Sequence, residues 1–249
     1  MCEIEYKEHK KIPPTGREER SHTDIAERIV EELNSKTAFV IPVFGGIPVG
    51  ESVVVTWIIM AVLVIGSMVL VRGLKVENVG KKQLALEAFI GFLHDFFGDL
   101  LGKEGAGYIP YLITVAIFIG VANLIGLLGF TPPTKDINVT AGLAICSIAV
   151  IEYSGLHKKG LKKWLKSFTE PIPLITPINI LEIFIRPVSL CMRLFGNVLG
   201  AYVVMELIKI VLPVGLPVPF SLYFDIFDGL IQAYVFVFLT SLFIKEAVE

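Results

Sequence analysis

From Val53 to Val71 the chain is almost entirely Val, Ile, Leu, Met, Ala and Trp, and none of the 20 positions from Ser52 to Val71 is charged. A second charge-free run covers the 30 positions 105–134. A helix crossing ~30 Å of hydrocarbon needs ~20 mostly apolar residues. The pattern predicts five such spans: Val53–Val71, Tyr111–Phe130, Ile137–Leu156, Ile178–Leu212 and Phe220–Val248. Pro132-Pro133 marks the turn between the second and third, and Pro213 and Pro217 bracket the turn between the last two. A 35-residue helix would be ~52 Å long, so the fourth span must tilt, bend or project. Pro187 lies inside it and is placed to bend it.

One further segment has a different pattern. Across Gln83–Leu101, Glu87, Gly91, His94/Asp95 and Gly98/Asp99 recur every three or four residues, opposite Phe89, Phe92, Phe96 and Leu100. That is an amphipathic helix suited to lie on a membrane surface. The predicted fold class is therefore an all-α polytopic membrane protein. It has five transmembrane helices plus one amphipathic interfacial helix, with the last two spans long and tilted. Residues 1–52 form a hydrophilic segment and residues 53–249 the helical membrane domain. Within the first part, residues 1–20 read as a charged tail. Ser21–Asp24 starts a short amphipathic segment. Residues 37–50, with two prolines and three glycines, read as loop.

Composition agrees: 54% of the residues are hydrophobic and 18% charged, against roughly 45–50% and ~25% in average globular chains. A soluble globular domain and a disordered chain are excluded, and the alternation of a membrane β-barrel strand is absent. A net charge of −2 offers nucleic acid no attraction. Cys2, Cys146 and Cys191 form no CxxC pair and read as small buried hydrophobes. No cleavable signal peptide is visible, and Val53–Val71 is expected to stay as an anchor. The nearest match to a phosphate-binding loop, Gly155 to Gly160, is followed by Leu161 where lysine is required, and no HExxH spacing occurs. No bound cofactor, metal or nucleotide-hydrolysing chemistry is expected on this chain alone.

Loop charges set the topology. Arg72, Lys75, Lys81 and Lys82 follow the first span, and Lys158, Lys159, Lys162, Lys163 and Lys166 follow the third. If Gln83–Leu101 stays on the surface, both clusters lie on one side. That side is then the cytoplasm, with the N-terminus outside and the C-terminus inside.

The candidate chemistry lies in charges within the last two spans. Each charge at a helix centre costs at least ~2.5–3.5 kcal/mol on insertion scales, so each is a functional candidate. At 100° per residue, Glu182, Arg186, Ser189, Arg193, Asn197 and Gly200 share one face of the fourth span. Asp225, Asp228, Gly229 and Gln232 form a stripe on the fifth. Glu182 and Asp225/Asp228 lie on opposite sides of Arg193, as in two half-paths separated by a fixed positive charge, with Glu206 on the Asp225 side. Structural readings compete. Glu182–Arg186 and Glu206–Lys209 have the spacing of ordinary helix-surface ion pairs. Asp225 has a weaker alternative as a headgroup-level residue at a helix start, and Gly196 and Gly200 fit close helix packing. Arg193, too deep to reach either surface, fits a structural reading least.

The run from Pro187 to Asn197, PVSLCMRLFGN, resembles the arginine motif of subunit a of the F-type rotary ATP synthases. Gly229–Phe236, GLIQAYVF, is similar to that family's final-helix motif. Asn123–Gly126, Asp136–Thr140 and Pro177–Glu182 give weaker matches in the expected order, and the resemblance covers residues 37 to 245. It implies an ion-translocating stator subunit passing H⁺ or Na⁺. The implied partners are a rotor ring of small carboxylate-bearing membrane subunits, peripheral stalk subunits and the lipid bilayer, in a bacterial cell membrane. It makes Arg193 the essential charge facing the rotor carboxylate, Asn197 and Gln232 its neighbours, Asp225 an outer-path acid and Glu182 the inner-path glutamate. Two positions depart from the pattern. Tyr202 stands where some members carry an acid, and Gly126 where some carry an aspartate, so neither is assigned an ion role. The rival reading, a self-contained secondary transporter, predicts internal repeats, and none is evident.

Overall fold

The computed structural model describes residues 37–41, 47–72, 74, 80–128, 130, 132–167, 176–211 and 217–248. Only the backbone is described at 37–41, 47, 48, 128, 162–167, 176, 178, 180, 206, 210, 211, 217 and 218. The charged tail 1–20 and the amphipathic segment after Ser21 lie outside these residues. The described chain opens with two short antiparallel strands, β1 (Thr37–Ile41) and β2 (Ile47–Gly50), in register Phe39↔Val49, Val40↔Pro48 and Ile41↔Ile47. The loop expected over 37–50 is corrected here. Its Phe, Val and Ile pair as strands because such side chains suit a pleated surface, and Pro48 is tolerated in a two-stranded sheet that is all edge.

Helix α1 (Glu51–Val71) follows Gly50 directly. Only Val55 and Ile59 are buried, while Trp57, Ile58, Val62, Ile65, Met68 and Val69 are exposed. An apolar helix so little covered by protein belongs in lipid. Helix α2 (Lys81–Gly105) contains the expected amphipathic segment. Its regular turns end at Gly102, whose φ of 67° and ψ of −171° are open to glycine alone. Phe97, Leu101 and Gly105 are its buried positions; Phe89 and Phe92, on the predicted apolar face, are exposed. A turn at Ala106–Tyr108 leads to α3 (Ile109–Leu124), which carries Pro110 in its first turn where a missing N–H costs nothing.

Helix α4 (Ile137–Ser167) starts at Asp136. One carboxylate oxygen there accepts from the Asn138 N–H at 2.9 Å and from its amide Nδ2 at 3.0 Å. The helix runs past the predicted Leu156 to a break at Gly160 (φ 72°, ψ 155°), then continues through the lysine-rich segment. Helix α5 (Thr176–Val211) is 36 residues long and passes through Pro187 without ending. After Pro217–Ser221 (α6), the last span begins as a π-helical segment, Leu222–Asp228, and continues as α7 (Gly229–Val248).

Among the described residues, five stretches are long and apolar enough to cross a membrane: Glu51–Val71, Lys81–Leu127, Ile137–Leu161, Leu181–Lys209 and Pro219–Val248. Their number is the five predicted, with Lys81–Leu127 joining the predicted surface segment to the second span. Five such helices fit an all-α polytopic membrane protein. Helix α7 is the hub, packed against α2, α3 and α4, while α5 packs chiefly on α4. The core runs through Leu112, Ile119, Ile151, Leu194, Phe236 and Ile244. Cys191 is buried within it, whereas Cys146 is exposed, against the expectation of a buried residue.

Candidate functional site

Helices α5 and α7 run antiparallel, and their polar residues meet at two levels. Near the start of α5, Arg186 donates from Nε (3.2 Å) and Nη2 (2.9 Å) to one carboxylate oxygen of Glu182, and from Nη2 to Glu246 of α7 at 2.7 Å. The guanidinium also sits 4.8 Å from the ring centre of Phe243. This cluster lines a cavity of about 210 Å³ between α4, α5 and α7, to which Glu152 and Lys159 also contribute. The expected Glu182–Arg186 pair is thus present, but as part of a three-residue group. Glu246 was not foreseen, because an acid beside Lys245 near the end of a span resembles an ordinary solvated helix end.

Higher up, Asn197 of α5 donates its amide to Gln232 Oε1 of α7 at 2.5 Å. Gln232 is 2% exposed, and its Nε2 has no hydrogen-bond partner among the described residues. Arg193, one turn before Asn197, is half-buried beside the buried Leu190 and Leu194. It makes no hydrogen bond or ion pair among the described residues. Ser189, Gly196, Asn197 and Gly200 are exposed, and a Cβ on either glycine would meet nothing within 4 Å. The predicted polar face of α5 is therefore largely open.

At the far end, Asp225 accepts a hydrogen bond from Ser221 at 2.6 Å and lies against Gly126, where a Cβ would stand 2.9 Å from its Oδ1. The Asp225–Gln232 stripe predicted at 100° per residue is modified here. Asp225 and Asp228 belong to the wider π-helical turn, whereas Gly229 and Gln232 belong to α7 and are buried. Asp228 is half-buried and has no hydrogen bond among the described residues. Glu206 lies in α5, but its side chain is outside the described residues.

The segment joining α3 to α4 seals this end. Asn123, 4% exposed, donates to the Gly229 carbonyl at 2.9 Å and accepts from Thr134 at 2.8 Å. Lys135 places its ammonium 3.5 Å from the ring centre of Tyr202 on α5. No group of three or more His, Cys, Asp or Glu suited to hold a metal occurs among the described residues.

The family profile ATP synthase A chain matches residues 53–245. The ATP synthase subunit a of Moorella thermoacetica is 37% identical over 206 residues, covering 82% of this chain and 94% of that protein. A protein of Bradyrhizobium named ATP synthase subunit a 2 is 35% identical over 205 residues, covering 82% and 91%. One of Propionigenium modestum named ATP synthase subunit a, sodium ion specific, is 32% identical over 219 residues, covering 82% and 75%. With most of its length matched by that profile and by relatives above 30% identity, the chain belongs to the ATP synthase A chain family.

Proposed function

We propose that this chain is the ion-translocating stator subunit of a rotary ATP synthase, with two half-paths that carry H⁺ or Na⁺ to and from the carboxylates of a rotor ring, separated by Arg193. The observation that carries this reading is Arg193 itself. It is a permanently charged group midway along a span, without a carboxylate partner among the described residues, on a face that is open at Ser189, Asn197 and Gly200. A charge in that position is expensive unless a partner from another subunit passes before it. Opposite such a partner, the guanidinium holds the passing carboxylate ionised, so that its ion is released. The same charge repels any ion moving directly between the half-paths.

Asp225, with Asp228 and Glu206 on the same outward side of Arg193, provides the outer path, and Glu182 at the charged cavity provides the inner one. Asn197 and Gln232 flank the arginine. At ~1.5 Å per residue α5 is ~54 Å long, so within ~30 Å of hydrocarbon it lies strongly tilted, along the curved rotor. The amphipathic α2 rests on the cytoplasmic surface beside Lys81 and Lys82, the N-terminus lies outside and the C-terminus in the cytoplasm of a bacterial cell. Peripheral stalk subunits hold the chain against rotation. Each elementary charge crossing 100 mV delivers ~2.3 kcal/mol to the rotor; the chemistry of ATP belongs to other subunits.

The test is ATP-driven ion uptake by inverted vesicles holding the whole complex, with Arg193→Ala compared with wild type at controlled Na⁺. Uptake should vanish while the complex still assembles, and the Na⁺ dependence identifies the ion. Unchanged uptake would make Arg193 structural and end the half-path account.

A further inference from the structure

An isolated i,i+4 pair of Glu182 and Arg186 is neutral and offers an arriving cation no net attraction. The structure contains something else. Arg186 is shared: its Nη2 lies 2.9 Å from Glu182 and 2.7 Å from Glu246, a residue 60 positions away at the end of α7. The guanidinium is the covered member, with 14% of its side chain exposed against 48% for Glu182 and 61% for Glu246. The face of Phe243 supports it at 4.8 Å. Two carboxylates on one guanidinium leave one negative charge in excess at the open side of the cavity. Among the described residues that line it, Glu152, Glu182 and Glu246 face Lys159 and Arg186, and the excess there remains one negative charge.

We propose that Glu246 is a positioning residue of the inner ion path, acting on Glu182 through Arg186. By taking a share of the guanidinium, it keeps Arg186 on the cavity wall and leaves Glu182 a carboxylate that is not fully neutralised and can meet ions from the cytoplasmic side. The excess charge raises the cation concentration in the cavity. This inference rests on Glu182 belonging to the path.

The experiment uses inverted vesicles carrying the whole complex, whose cytoplasmic face looks outward, so that uptake draws ions through the inner path. Initial rates of ATP-driven uptake are recorded against stepped external H⁺ with a pH-sensitive dye, and against stepped radiolabelled Na⁺ at fixed pH. In Glu246→Gln the amide carbonyl still accepts from Arg186 but the charge is gone. The apparent KM for the transported ion should rise about three- to tenfold with little change in maximal rate, a difference that shrinks at high ionic strength. Glu246→Asp keeps the charge and should hold its KM within about twofold of wild type. A lower rate with unchanged KM makes Glu246 a structural strap and overturns the proposal, as does a raised KM in Glu246→Asp. The Asp variant alone decides if Glu246→Gln fails to assemble. Arg193→Ala in the same preparation separates the two levels. Uptake that survives it removes the parent reading and this one together. Uptake lost there, with the Glu246→Gln KM unmoved, removes this one alone.

Discussion

Gly126 and Asp225 compete for one space. A Cβ on Gly126 would stand 2.9 Å from Asp225 Oδ1, 3.3 Å from its Cγ and 3.5 Å from Pro132 Cγ. The other carboxylate oxygen accepts from Ser221 at 2.6 Å. The atoms in the way are the end of a side chain, so a residue larger than glycine displaces the carboxylate rather than the backbone. Gly126→Ala should therefore leave the complex assembled while pulling Asp225 off Ser221. A hydrogen bond to a charged group is worth ~1.5–3 kcal/mol, and a loss of that size in a rate-limiting ion transfer is about tenfold or more. Ion uptake by inverted vesicles should fall accordingly, and Ser221→Ala should move it the same way. Wild-type uptake in Gly126→Ala would mean that the carboxylate's exact place is immaterial.

At the junction of α3 and α7 the constraint is the root of a hydrogen-bonded side chain against a glycine. A Cβ on Gly229 would lie 3.0 Å from Asn123 Cβ, and Asn123 is fixed by its bonds to Gly229 and Thr134. Gly229→Ala must separate the two helices, at a cost of ~1–3 kcal/mol. Asn123→Leu leaves the buried Thr134 hydroxyl without its acceptor, at ~1–3 kcal/mol. Thermal unfolding of the detergent-solubilised complex should show both variants melting several degrees lower. An unshifted midpoint for either would show the contact to be slack.

The spans were legible because charge in hydrocarbon is expensive: the empty run 52–71 lies within one crossing stretch, and the run that starts at 105 covers the apolar end of the next. The polar residues of α5 were legible for the same reason. What failed depended on distance along the chain. Glu246 meets Arg186 across 60 residues, and Thr134 meets Asn123 only because the turn before α4 folds back. The π-helical turn at Leu222–Asp228 breaks the 100° spacing on which the Asp225–Gln232 stripe was drawn. The strands at 37–50 were hidden by prolines and glycines that normally mark loops.

Two glycines hold backbone that other residues resist. Gly102 (φ 67°, ψ −171°) ends the regular part of α2, and Gly160 (φ 72°, ψ 155°) turns α4 before Leu161. Both lie in a region essentially reserved for glycine, where a side chain costs ~1–3 kcal/mol. A Cβ at either would touch nothing within 4 Å, so the penalty is purely conformational. Gly102→Ala and Gly160→Ala should each lower the melting temperature by a similar amount. If they behave like ordinary surface substitutions, the helices run straight through these positions.

The Asn197–Gln232 pair makes a prediction of sign. Gln232 is buried with Nε2 unpartnered among the described residues, while Asn197 is exposed and can turn to other donors and acceptors. Asn197→Leu strands both ends of the buried amide and should destabilise by ~1–3 kcal/mol. Gln232→Leu removes the buried amide itself, so its cost should be near zero, or the variant slightly more stable. The double variant should resemble Gln232→Leu rather than the sum of the two, because both changes act on one bond. Ion uptake should fall in all three if these amides flank the path beside Arg193. Measuring melting temperature and uptake on the same preparations separates the roles. A strongly destabilised Gln232→Leu would make the amide a packing element. A stable Gln232→Leu that no longer transports would place it beside the moving ion.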